Sequence, residues 1–474
     1  MKDLLNTEFK RVFSFSPYKS MRLPLAQMSF CKDFVNDRRG DLYPIMQKSE
    51  DCAEAVLQNR YILQGGSIQR LVCRFFPYAT YELKATVKRG AVGLSFLMPH
   101  CEASVTVDGT KALYACGEAC EELALPSFVG SELTVIVSCR PGAFDLYFEQ
   151  NGKPEYLGSF NEDKCRDSDL YAVFSDSKVA LIASGEVTVV SLCSYVDNGI
   201  SIADMRPIRY ENGEVMTEGG KVYLTVSLRL QAGCLQGVIS WVPGTMEMEL
   251  CGALFYDSGD GKWCGDVAAS ILYHREEKQW YLWVCSFAHD HILGHACFEG
   301  DPRFGVNVID LTLMPKAAEG ADMTEFVGFS GDEDPDFFYD KERGKWMMAV
   351  CRLDPTIKQY KYVFFESDSP FENYRCIGKG IDGGETGGSF VKVNGELFFL
   401  CGNDFHKRAN YRIYHKNGMT EAKFDYDDGG FRGWGTLMPV KMGSRTRCFW
   451  MTFDRHNASA YNWSYGNVYC FEAP

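Results

Sequence analysis

Acidic side chains recur just ahead of apolar, aromatic-rich strands in the second half of this sequence: Glu214, Asp266, the run Asp332-Glu333-Asp334 and Glu385. Asp427-Asp428 and Arg432 stand upstream of a fifth such strand. A single acid before a strand is ordinarily a solvated turn residue. Recurrence at one structural position is a different signal, because carboxylates gathered around one pocket can do acid–base work. One carboxylic acid protonating a leaving oxygen, opposite a carboxylate acting as base or nucleophile, is what glycosidic cleavage requires. Glu385 lies in the glycine-rich stretch Gly383-Gly384-Glu385-Thr386-Gly387-Gly388, where a ligand can approach the backbone closely. Asp334 would supply the negative charge that keeps such an acid protonated near neutral pH.

These acids need elements that bring them together. From about residue 205 a unit of apolar strand, tight turn and aromatic-rich strand recurs: Gly213–Ser227, Asp266–Ser286, Asp334–Arg352, Gly387–Asn403 and Gly435–Arg455. Five such hairpins spaced by tens of residues are the signature of a β-propeller, whose inner strands converge on one axis. Residues 70–195 read instead as short alternating strands between turns, the pattern of an antiparallel sandwich. Their turns, including Asn151-Gly152, resemble those of the concanavalin/laminin-G type of jelly roll. A helical stretch is expected around Glu50–Gln58, and the pattern changes near Asp197–Arg206. The expected architecture is all-β: an N-terminal jelly-roll β-sandwich over residues 1–197, then a five-bladed β-propeller over 198–474.

The third and fourth hairpins carry a resemblance to the five-bladed arabinofuranosidase/xylosidase clan of glycoside hydrolases (family 43-like). The residues are Asp334-Pro335-Asp336-Phe337-Phe338 with Gly344-Lys345-Trp346, and Glu385-Thr386-Gly387-Gly388 with Asn394-Gly395 and Leu397-Phe398-Phe399. The resemblance implies that Glu385 is the general acid and that Asp334 orients it and tunes its pKa. It also implies a catalytic base, an Asp followed by Pro, at the head of blade one. This chain has no Asp-Pro there; Glu214 is the nearest acid, with Asp204 further upstream. Asp266 is the other candidate and is slightly preferred. An inverting reaction, with the carboxylates roughly 6.5–9.5 Å apart, is the expectation.

Sugar hydroxyls would be met by Arg432, Trp434, Arg455, His456, Asp332, Glu333 and His289. The spacing of His289, His291 and His295 hints at a metal, but no carboxylate backs it, and no metal or cofactor is expected. A phosphorylase is the alternative, with Arg432, Arg445, Arg447, Arg455 and His456 as a phosphate pocket; a non-catalytic carbohydrate-binding protein is a third reading. Net charge −14 over 474 residues argues against nucleic-acid and anionic-membrane partners and tolerates a neutral oligosaccharide. The beginning of the chain lacks the apolar stretch of a secretory signal. The 19 cysteines, set in strands such as those holding Cys285, Cys351 and Cys401, read as reduced buried thiols. A cytoplasmic location is therefore expected. The sandwich is expected either to wall the pocket or to offer a homo-oligomer surface.

Overall fold

The computed structural model describes residues 4–28, 43–99, 101–126, 132–140, 142–150, 152–161, 177–381, 383–403, 411–425, 434–454 and 466–473. It forms two compact units, Met1–Met21 with Asn198–Pro474, and Arg22–Asp197. Among the described residues no helix is long and apolar enough to cross a membrane.

The larger unit holds five sheets, each one blade of a propeller. The innermost strands are Ser201–Pro207, Val267–His274, Asp332–Asp340, Glu385–Val393 and Gly435–Met442. Second strands such as Gln279–Ser286 (QWYLWVCS) are buried along nearly their whole length because both sheet faces meet a neighbouring blade. Apolar clusters fill the spaces between blades, for example Val238 and Leu254 against Ile271 and Leu282. Blade one meets blade five through Trp241 and Phe449, with ring centroids 5.3 Å apart.

Two differences from the sequence reading matter. Blade one starts at Ser201–Pro207, and the hairpin at Gly213–Ser227 supplies Thr217–Glu218 and the second strand, Lys221–Arg229. The inner strand is buried at every residue, so it lacks the alternation that marks a half-exposed strand. Blade five is completed by Glu8–Phe15, antiparallel to Val468–Glu472 with Lys10 opposite Glu472. Residues 1–21 thus group with the propeller rather than with the N-terminal domain expected over 1–197, and the smaller unit spans Arg22–Asp197.

The axis of the propeller is filled by charge. Arg206, Arg209 and Asp336 are each 3% exposed or less. Arg209 pairs with Asp336 and donates to the carbonyls of Phe390 (3.0 Å) and Phe337 (3.1 Å). Arg206 donates to the carbonyls of Pro335 and Gly388. Asp336 accepts from Ser270 Oγ (2.7 Å) and the Phe390 amide (2.7 Å). One side-chain cluster therefore ties blades one to four.

In the smaller unit the strands among the described residues join one antiparallel sheet that folds over itself through three long strands, Arg60–Arg74, Thr80–Leu97 and Lys178–Asp197. The fold line passes through Gly90 and Gly185, paired with each other and both at positive φ. A Cβ on either would strike backbone within 2.3 Å, so only glycine fits. Core rings such as Phe96 and Phe144, 4.6 Å apart, fill the fold. The helix expected at Glu50–Gln58 is instead the strand Ala53–Leu57, turned back onto Arg60 by Gln58 and Asn59, both left-handed. Its exposure alternates with period 2, but the residues AEAVL do not alternate between apolar and polar, so the strand left no such pattern in the sequence. The Gly152 turn joins Ala143–Gln150 to Lys153–Asn161, Asn151 lying outside the described residues.

Sixteen described cysteines are free, and Cys285, Cys351 and Cys401 are buried as expected. Cys116 is disulfide-bonded, which corrects the reading of uniformly reduced thiols. Disulfides are rare in a reducing cytosol, so the cysteines no longer argue for that compartment.

Asp336→Asn should leave two buried guanidinium groups without their counter-charge and cost about 3–5 kcal/mol of propeller stability. Thermal unfolding of the purified variant checks this; an unchanged melting temperature would remove the axial cluster from the account of the fold.

Candidate functional site

Four of the five inner strands break register near their start, between Ala203 and Arg206, Val267 and Ser270, Glu333 and Asp336, and Thr386 and Ser389. Inside each break sits one residue at positive φ: Asp204 (53°), Ala268 (64°), Asp334 (49°) and Gly387 (61°). A β-bulge of this kind re-aims a side chain. Aspartate tolerates the left-handed region better than most residues, yet each such position still costs on the order of 1–3 kcal/mol. Asp204 and Asp334 are therefore equivalent residues on blades one and three.

Asp334 is nearly buried, and its Oδ2 accepts from Thr386 Oγ1 (3.0 Å) and the Gly387 amide (2.9 Å) on blade four. Burial first, then the negative charges of Glu333 and Asp204, push its carboxyl up to about 7, against the Gly387 amide and Arg206. Asp204 is paired with Arg229. Glu333 accepts from Tyr360 Oη (2.8 Å) and faces His291 Nδ1 at 2.9 Å. Its carboxylate raises the His291 pKa, mainly through that hydrogen bond. Asp204, Glu333 and Asp334 thus form one electrostatic group at the heads of blades one and three.

The acids two residues earlier do something else. Asp332 is fully buried, ion-paired to Arg352 Nε at 3.1 Å, and accepts from the Phe329 amide. Glu385, also fully buried, accepts from the Tyr362 amide (2.9 Å), Arg412 Nη1 (3.2 Å) and Tyr414 Oη. Burial raises its pKa, opposed by those three groups. Asp266 is 4% exposed and accepts from Ser286 Oγ (2.7 Å) and the Ala288 amide (3.3 Å); burial raises its pKa as well. A thiol on the preceding blade also donates to two of these backbones, Cys285 to the Asp332 carbonyl and Cys351 to the Glu385 carbonyl. Glu385 is therefore the blade-four counterpart of Asp332. The residue counterpart to Asp334 is Gly387, where an added Cβ would lie 2.8 Å from Trp434 Cα.

The remaining candidates scatter. Glu214 lies past the C-terminal end of its inner strand, is 67% exposed and stands 3.6 Å from Arg275, so it does not join the group. His289 bridges Ser286 (2.8 Å) and Ser258 (3.1 Å). His295 is held near 4 by burial and stacks on Phe371, while His291 faces Glu333, so the three histidines have separate partners. Trp434 is buried, donates to the Met205 carbonyl (2.9 Å) and lies under Arg206 at 4.8 Å. Arg432, Arg455 and His456 lie outside the described residues. Sequence reasoning named Asp204 only in passing and did not use Arg229 or Tyr360. The signal for Asp204 was its place two residues before Arg206, parallel to Asp334 before Asp336.

No family model and no curated protein matches the chain. Solved carbohydrate-active proteins are what it is similar to. A family 43 β-1,3-galactosidase bound to galactodeoxynojirimycin shares 11% identity, with 56% of this chain and 93% of that one covered at a TM-score of 0.38. An endo-1,4-β-xylanase from Bacteroides thetaiotaomicron shares 15%, with 57% and 90% covered at 0.37. A carbohydrate-binding module from Bacillus subtilis shares 18%, with 31% and 90% covered at 0.23. At such identities and scores these likenesses decide nothing about the chemistry, which rests on the geometry above.

If Glu385 is an anchor, its coupling to Arg412 should appear in unfolding. A double-mutant cycle of Glu385→Gln and Arg412→Met, read by thermal or urea denaturation, should give a coupling of about 0.5–3 kcal/mol. Strict additivity would count against the anchor.

Proposed function

We propose that the propeller hydrolyses glycosidic bonds, with Asp334 as general acid and Asp204 as general base. The observation that supports this reading is the unlike setting of two aspartates on equivalent bulges. One is held protonated to about pH 7 by burial and by the charges of Glu333 and Asp204, and the other has the cation Arg229 as partner. Environments that push two carboxyls apart are how acid and base roles are divided.

In the step, Asp334 gives its proton to the glycosidic oxygen as the bond from that oxygen to the anomeric carbon breaks. Asp204 takes a proton from the water whose oxygen forms the new bond to that carbon. The products are a hemiacetal sugar at the attacked carbon and the released alcohol, and solvent exchange returns the proton from Asp204 to Asp334. Inversion at the anomeric carbon belongs to this proposal, as do an oligosaccharide substrate and the jelly-roll class of the smaller unit. Asp266, the base preferred from sequence, is engaged by Ser286 and Ala288 and has no part in the step. Glu385 holds the backbone that carries Thr386 and Gly387 to Asp334. The phosphorylase reading loses support, since Arg445 and Arg447 sit at the far turn of the blade-five hairpin and Arg447 pairs with Glu472.

Leaving-group chemistry tests the assignment. Asp334→Asn should cut kcat/KM at least ~100-fold on unactivated disaccharides and far less on 2,4-dinitrophenyl glycosides, which depart without a proton. Asp204→Asn should be slow on both. The wild-type kcat/KM should be present below about pH 7 and fall as pH rises through the Asp334 pKa, because the acid must carry its proton. Full activity of both variants would defeat the reading, and absent turnover in the wild type, with glycan binding retained, would favour a binding protein.

A further inference from the structure

The segment after the blade-two hairpin is built around a buried carboxylate. The short 3-10 turn Phe287–His289 wraps Asp266, which accepts from Ser286 Oγ and the Ala288 amide. His289 is fixed between Ser286 and Ser258. Asp290 and His291 follow as consecutive non-glycine residues in the left-handed region, at φ 59° and 56°. Asp290 is tethered to Lys316 at 2.6 Å. This over-determined backbone leaves Phe287 40% exposed. Its ring lies 4.5 Å from that of His291, at 69°, and His291 in turn engages Glu333, the neighbour of Asp334. Phe287 and Phe304 are the exposed phenylalanines among the described residues of the propeller, and Phe304 packs instead on Tyr223 and beside Arg303.

We propose that Phe287, backed by His291, is the platform for the leaving-group sugar, and that this sugar is a pyranose. The inference rests on the assignment of Asp334 as the acid. A general acid protonates the leaving oxygen, so an aromatic platform joined to Asp334 through Glu333 and His291 lies on the leaving-group side. A pyranose offers one face of axial C–H bonds to the electron-rich face of an aromatic ring, while its hydroxyls stay free for polar partners. His291, with its protonated form favoured by Glu333, offers a hydrogen-bond donor beside that ring. The substrate is then a disaccharide or longer, and Phe287 sets the specificity for the sugar being released.

The test is calorimetric titration of Asp334→Asn with gluco-, galacto-, manno- and xylo-configured disaccharides and the matching methyl glycosides. At least one disaccharide should bind tenfold more tightly than its methyl glycoside. Adding Phe287→Ala should erase that preference, and adding Phe287→Tyr should restore it, which separates loss of the platform from loss of folding. Equal affinity for disaccharides and methyl glycosides, no disaccharide binding at all, or a preference that survives Phe287→Ala would overturn the platform. Failure of the acid assignment reads differently, as undiminished disaccharide turnover by Asp334→Asn.

Discussion

Five inner strands meeting around an axis leave backbone carbonyls with no sheet partner on the inward side, in a space too narrow for much water. Here that space is closed by two guanidinium groups and one carboxylate, and the donors of Arg206 and Arg209 take the orphaned carbonyls of Pro335, Phe337, Gly388 and Phe390. Buried charges are tolerated because they are paired and saturated with hydrogen bonds. The same strands that carry this cluster carry the two bulged aspartates of the candidate site. Arg206 is two residues beyond Asp204, and Asp336 two beyond Asp334. Register breaks separate the pairs, so Arg206 and Asp336 join the axial cluster while Asp204 and Asp334 meet other partners, Arg229 and Thr386.

The contrast between Asp334 and Glu385 follows from that geometry. Both are buried carboxyl groups near the heads of adjacent inner strands, and burial lifts the pKa of each. What differs is the company. Around Glu385 stand an arginine, a tyrosine and a backbone amide, all favouring the charged form. Around Asp334 the strongest neighbours are two other acids. Two residues of displacement along a bulged strand thus separate a carboxyl held by cationic and donor groups from one whose neighbours are acids.

The hairpins at Asp266–Ser286, Asp334–Arg352, Gly387–Asn403 and Gly435–Arg455 were legible because tight turns and aromatic strands mark them in the sequence. Blade one was misread by one strand. Ser201–Pro207 is buried throughout and adjoins the boundary between units, so it carried neither alternation nor a turn signal, and Asp204 was passed over with it. Glu385 was legible as an acid ahead of a strand but not as an inward anchor. A bulge changes which side a residue faces, and bulges are set by tertiary packing, here by Trp434 pressed against Gly387. The role of Glu8–Phe15 was beyond local pattern, since its partner lies at the opposite end of the sequence. The Asp266 carboxylate looked free because its ligands, Ser286 and Ala288, arrive only after the hairpin has closed.

The pairing of Glu8–Phe15 with Val468–Glu472 also fixes a schedule. On the ribosome the first propeller strand emerges ahead of every other blade element and finds no sheet to join. Arg22–Asp197 and four blades are made while it waits with an unsatisfied edge, the condition under which nascent chains associate wrongly. Lengthening the intervening stretch adds little thermodynamic penalty, because closure entropy grows only with the logarithm of length. The Met21 amide is bonded to Asn198 Oδ1 at 2.9 Å, so the inserted unit leaves and rejoins the ring at one gate. The interval before the ring shuts is set by how long translation of the intervening stretch takes.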